Sequence, residues 1–186
     1  MRTIFFTTFF LLIVNCVIAQ TINIKEPEFA GNIVYVNDTI GNGVRLEQQT
    51  ASSKTSANAA AYIPGARLVA GKATSKSVVN GCCSPVQIEQ KTNIKFIVKV
   101  KDNSFDPTTI INIFKLNREK EKRTVELASV NSWGTTKTGE IEFIGFYGTK
   151  YGESSYLIEI SNLESGEYAM TLAERRDFFN LFQIKE

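Results

Sequence analysis

The chain has 186 residues, with 21 lysines and arginines against 19 aspartates and glutamates and no histidine. A balance this close to neutrality argues against the concentrated basic face that nucleic acid or an anionic membrane surface requires. The absence of histidine excludes Ser-His-Asp and Cys-His nucleophile arrangements, histidine acid–base chemistry and most zinc sites.

The sequence starts with Met1-Arg2-Thr3 and the apolar run IFFTTFFLLIVNCVIA. One positive charge, an apolar stretch, and Val17 and Ala19 before Gln20 predict a signal peptide over residues 1–19, cleaved before Gln20. Retention as a membrane anchor is disfavoured, because the run is at the short end of a span and has no charged flank after it. Lipidation at Cys16 is disfavoured by Asn15 before it and the apolar Val17-Ile18 after it. Cleavage removes Arg2, leaving 20 basic residues against 19 acidic in a single domain of residues 20–186. No later run is apolar enough to cross a bilayer, so no transmembrane span is expected after cleavage.

Thr21–Lys25 alternates as a short strand ended by Pro27, which lacks a ladder donor. Asn32–Asn37 and Val44–Gln49 read as a hairpin around Asp38-Thr39-Ile40-Gly41-Asn42-Gly43. Residues 50–84 are the least patterned stretch and read as a loop or hairpin excursion from the main domain. Within that stretch lies Cys82-Cys83, the vicinal pair that remains once Cys16 has gone. A bond between neighbours would close a small ring and make a redox-sensitive element. The simpler reading is two small loop residues, one turned inward and one outward.

From Pro85 the alternation sharpens. Val86 and Ile88 form one short run. Ile94, Phe96, Val98 and Val100 then alternate with Lys95, Ile97, Lys99 and Lys101, predicting one face in and a largely basic face out. Thr109–Leu116 and Thr124–Val130 read as strands joined by the charged run Asn117–Arg123, taken as a solvated hairpin loop. Glu140–Tyr147 is a further strand. Three more follow in Ser154–Ile184, with a single turn over Ala173–Asp177 between the last two. The corner Leu163–Tyr168 resembles the strand–corner–strand with an inward tyrosine of immunoglobulin-like sandwiches. An all-β, immunoglobulin-like β-sandwich is therefore the expected fold class, with a jelly roll or closed β-barrel as the alternative.

Three sets of residues are candidates for chemistry or binding. Asp102 and Asp106, with Asn103 and Ser104, offer oxygen ligands as a calcium loop might, although such residues also favour turns by bonding their own backbone. Glu140 and Glu142 share one strand face and could supply paired carboxylates, with solvent exposure the simpler account. Trp133, Tyr147 and Tyr151 lie in or beside loops and could stack on a sugar or grip a protein, or else cap the core. No cofactor is implied, and Cys82-Cys83 without further cysteine or histidine cannot make a four-ligand metal site.

The set EPEF, NIVYVND, NIFKL, RTVELAS, SYLIEIS and LESGEYAMTL…FNLFQI resembles exported β-rich proteins of Bacteroidetes-type bacteria. The resemblance implies an envelope or periplasmic setting and carries no assigned activity, so it transfers no functional residue. The expectation is an exported, non-catalytic binding or structural protein whose partner is another envelope protein or a glycan. One alternative is a small hydrolase using carboxylates or a Ser/Lys pair, which requires those groups to converge in a pocket. Another is an adhesion subunit assembling by edge-strand pairing, which requires a free apolar edge near Gln20–Glu28.

Overall fold

A computed structural model describes residues 23–37, 41–57, 73–130, 136–138 and 141–186. The predicted signal peptide, Trp133 and Glu140 lie outside the described residues. The described chain is nearly all strand: β1 (Ile33–Asn37), β2 (Asn42–Arg45), β3 (Glu47–Thr50), β4 (Ser52–Ala57), β5 (Ala73–Asn80), β6 (Gln87–Glu89), β7 (Asn93–Lys99), β8 (Ile111–Arg118), β9 (Lys122–Val130), β10 (Thr136–Thr138), β11 (Tyr147–Tyr151), β12 (Ser155–Ser161), β13 (Gly166–Leu172) and β14 (Arg175–Lys185). One short helix, α1 (Pro107–Ile110), precedes β8, with Asp106 as its N-cap. No helix among the described residues is long and apolar enough to cross a membrane.

The strands form a sandwich. One sheet has the order β11-β12-β7-β1-β2, and the other runs β3-β14-β13-β8-β9-β5-β4, with β6 parallel to β14 and β10 on β9. Their facing sides supply alternating apolar residues that interdigitate. Phe96 on β7 packs at 4.9 Å from Phe182 on β14, which stacks in turn on Tyr168 of β13. Around these rings lie Ile33, Val98, Ile113, Ile158 and Met170, all out of solvent. The second sheet is apolar on its outer side as well. There Phe114, Leu116, Ala169, Phe179 and Leu181 pack with Val79 of β5 and Val125 of β9 in a second cluster. The far strands thus curl back over the sheet as a half-barrel, which is why β13 is buried on both faces. The Tyr168 hydroxyl donates to the Glu164 carbonyl at 2.8 Å, so the inward tyrosine of the corner is present.

Several sequence expectations need correction. Val44–Gln49 is not one strand: the chain leaves the first sheet at buried Leu46, so β2 and β3 belong to opposite layers. Asn23–Pro27 is not in a sheet ladder. It crosses the outer face of the first sheet, where the Ile24 backbone exchanges hydrogen bonds with the Tyr151 hydroxyl and the Glu26 carboxylate takes Lys99 at 3.1 Å. On the same, supposedly polar face Ile97 is fully buried. Lys95 and Lys99 are only partly exposed and pair with Glu159 and Glu26. Residues 141–146 do not extend a strand; a single bridge joins Phe143 to Phe114, and β11 starts at Tyr147 in the other sheet. The turn expected over Ala173–Asp177 shrinks to Ala173-Glu174, because β14 already begins at Arg175.

Candidate functional site

The site begins where two strands part. β8 and β9 pair only at their hairpin base, Asn117 with Thr124 and Arg118 with Arg123. Beyond that, β9 keeps β5, which pairs with it along its whole length, while β8 keeps β13. The wedge between them is partly filled by 141–146, anchored by the Ile144 amide donating to the Ile113 carbonyl at 2.8 Å. What remains is a groove of about 650 Å³, walled on its far side by the tyrosine corner.

The lining of the groove is mixed. Val125, Ile141 and Ile144 supply apolar surface, while Glu126, Glu142 and Glu164 bring carboxylates and Asn117 and Asn162 bring amides. Asn162 sits in the left-handed region at φ 55°, a conformation asparagine tolerates better than most residues. Lys115 donates to the Glu164 carboxylate at 2.9 Å, a bond that, against the opposing effect of burial, raises the lysine above its ordinary value. It is therefore held as a cation and is unsuited to act as a base. The Ser161 hydroxyl at the rim donates to the Asn93 side-chain oxygen at 2.8 Å. The groove thus carries more acid than base, together with hydrogen-bonding groups of both kinds.

Beneath the base of the wedge lies a charged cluster that sequence reasoning missed. Arg123, read as part of a solvated loop, is wholly buried, and its guanidinium meets Glu167 of β13 at 3.4 Å and Glu47 of β3 at 3.5 Å. Its Nε and Nη2 donate to the Gly81 and Asn80 carbonyls, each at 3.0 Å. Glu167 also accepts the Ser84 amide at 3.1 Å, while its Oε1 meets no donor among the described residues. Burial pushes the Glu167 carboxyl up, against the Ser84 amide and Arg123, which favour its charged form. The available signal was period-two spacing: Arg123 shares a strand face with Val125 and Leu127, and Glu167 shares one with Ala169 and Thr171.

The loop held by this cluster carries Cys82 and Cys83. The structure joins their sulfurs in a disulfide, so the reading as two unlinked loop residues is replaced by the bonded alternative. Both residues are half-buried.

Among the described residues, the remaining candidates do not come together. Tyr147 is exposed at the edge of the first sheet, whereas the Tyr151 hydroxyl is engaged by the Ile24 backbone. Asp102 accepts from the Ser104 amide and hydroxyl, and Asp106 accepts from both donors of Thr108, which draws each carboxyl below its usual range. Both carboxylates thus serve local turns, and no cluster of three or more metal-ligating side chains occurs among the described residues. Glu142 lies on the groove. A second, smaller cleft of about 280 Å³ lies between exposed Phe105, Val100, Ile110 and Leu172 and is mainly apolar. No family model matches the chain, and no curated protein matches it significantly.

Proposed function

We propose that this chain is an exported, non-catalytic binding protein of the bacterial cell envelope that holds a hydroxyl-rich ligand, a glycan, in the groove between β8 and β9. The supporting observation is the groove lining: carboxylates and amides set beside apolar Val125, Ile141 and Ile144. Such a surface satisfies sugar hydroxyls and covers the apolar face of a ring. The excess of acid disfavours anionic glycans and favours neutral or amino sugars. The ion-paired Lys115 and the diverted Ser161 favour binding over a Ser/Lys hydrolase. The pinning of Asn23–Pro27 by Tyr151 and Lys99 disfavours that segment as a free strand donor. Residues 1–19 support export.

A glycan array tests this reading, with native protein compared against Glu126→Gln and Glu142→Gln. Selective retention of neutral or amino sugars, weakened by either substitution, is expected. Absence of binding, or binding indifferent to both substitutions, counts against the groove, and steady release of shortened sugars counts against the non-catalytic assignment.

A further inference from the structure

A disulfide normally stabilises a fold by shortening the loop it closes in the unfolded chain. The Cys82–Cys83 bond links neighbours and closes essentially no loop, so it contributes little to global stability in that way. Its effect is local, on the peptide between the two cysteines and on the residues at each side. Those flanking residues are held with unusual completeness. The Gly81 amide donates to the Glu121 carbonyl at 2.9 Å, and the Asn80 and Gly81 carbonyls take two arms of buried Arg123. On the other side the Ser84 amide meets Glu167 and the Ser84 hydroxyl donates to the Leu181 carbonyl at 3.0 Å. A half-buried cystine, open to a small reagent, is therefore mounted on the charged cluster that ties β9 to β13 at the base of the wedge.

We propose that Cys82–Cys83 is a site of thiol–disulfide exchange, and that opening it loosens the loop on which Arg123 is anchored. A thiolate of an external dithiol attacks one sulfur, forms a mixed disulfide and expels the other sulfur as a thiolate, which takes up a proton. The second thiolate of the reagent then attacks the reagent's own sulfur in the mixed disulfide, breaking its bond to the protein sulfur. That protein sulfur leaves as a thiolate and takes up a proton, while the reagent departs as the cyclic disulfide. Two electrons and two protons pass to the protein, which now carries two thiols; the oxidised reagent reverses the sequence. Without the ring, Asn80–Ser84 gains backbone freedom, and the carbonyl acceptors of Arg123 gain it too.

The test equilibrates folded protein in mixtures of reduced and oxidised dithiothreitol without denaturant, then alkylates it and quantifies the peptide containing Cys82 and Cys83 by mass. Amide hydrogen exchange is followed in parallel. The expected result is a reversible transition in which both cysteines become alkylated together. In the reduced protein the Gly81 and Ser84 amides exchange about tenfold faster or more, while those of Phe96 and Ile158 do not change. A pair that opens only when the whole protein unfolds overturns the proposal, as does a pair that opens with Gly81 and Ser84 unaltered. A folded Cys82→Ser/Cys83→Ser double variant should exchange quickly at both amides and ignore the dithiol; slow exchange in that variant also overturns it. If the double variant does not fold, the native protein alone decides.

Discussion

Arg123 of β9 and Glu167 of β13 reach each other across β8 and form an ion pair with neither side chain open to solvent. A buried pair of this kind adds little over an apolar substitute, yet removal of one partner strands the other charge without water. Arg123→Ala should therefore cost about 3–5 kcal/mol, read as a fall in the midpoint of urea unfolding. A change below about 1 kcal/mol, the scale of an exposed pair, would show that the cluster does not hold β9 to β13.

Glu167 makes the stability depend on pH in an unusual direction. Its folded pKa lies above the unfolded one, chiefly because burial disfavours the charge. The folded state thus binds the proton more tightly, and stability declines as pH rises from the ordinary carboxylate range through the raised value. Glu167→Gln should flatten that decline. Denaturation midpoints of the native protein and this variant across the range decide the matter, and parallel curves would rule out the assignment.

Glu26 acts in the opposite sense. Burial raises its pKa, but Ser155, Lys99 and the backbone amides of Ser154 and Glu153 outweigh burial and hold it at about 2, against an ordinary 4.5. The stability it contributes is present above the ordinary value and is lost as pH falls from 4.5 towards 2. Glu26→Gln should remove this acid-side dependence and free Asn23–Pro27 from the sheet, measured as faster exchange of the Ser154 amide that Glu26 accepts.

Gly152 gives a steric check on the same contact. It adopts φ +59°, and an added Cβ would collide with the Glu26 carboxyl group. Gly152→Ala should destabilise by about 1 kcal/mol or more from the backbone conformation and the collision together. An unchanged melting temperature would mean that Glu26 is not seated against this turn.

The sandwich was legible in the sequence wherever one face of a strand is wet. Tyr156, Ile158 and Ile160 of β12, buried and alternating with the partly exposed Leu157 and Glu159, declare their layer by alternation alone. The reading failed where a strand is covered on both sides. Ile97 is buried on the face that Asn23–Pro27 crosses, and that segment is held by side-chain hydrogen bonds from Tyr151 and Lys99 that no local pattern announces. It failed again at Arg123, because a buried charge is stable only beside partners contributed by other strands, Glu47 and Glu167. The groove was hardly legible at all. Glu142 stood out as a carboxylate, but Glu126, Asn117 and Asn162 become its neighbours only because β9 leaves β8 after the hairpin base.

The groove can be tested directly by nuclear magnetic resonance, titrating isotope-labelled protein with soluble neutral and amino-sugar oligosaccharides and following every backbone amide. Binding in the wedge predicts saturable shifts at Asn117, Glu126, Glu142 and Asn162, with Val100, Phe105 and Leu172 unmoved. Shifts confined to those last three residues, or no shifts with any sugar, would contradict it.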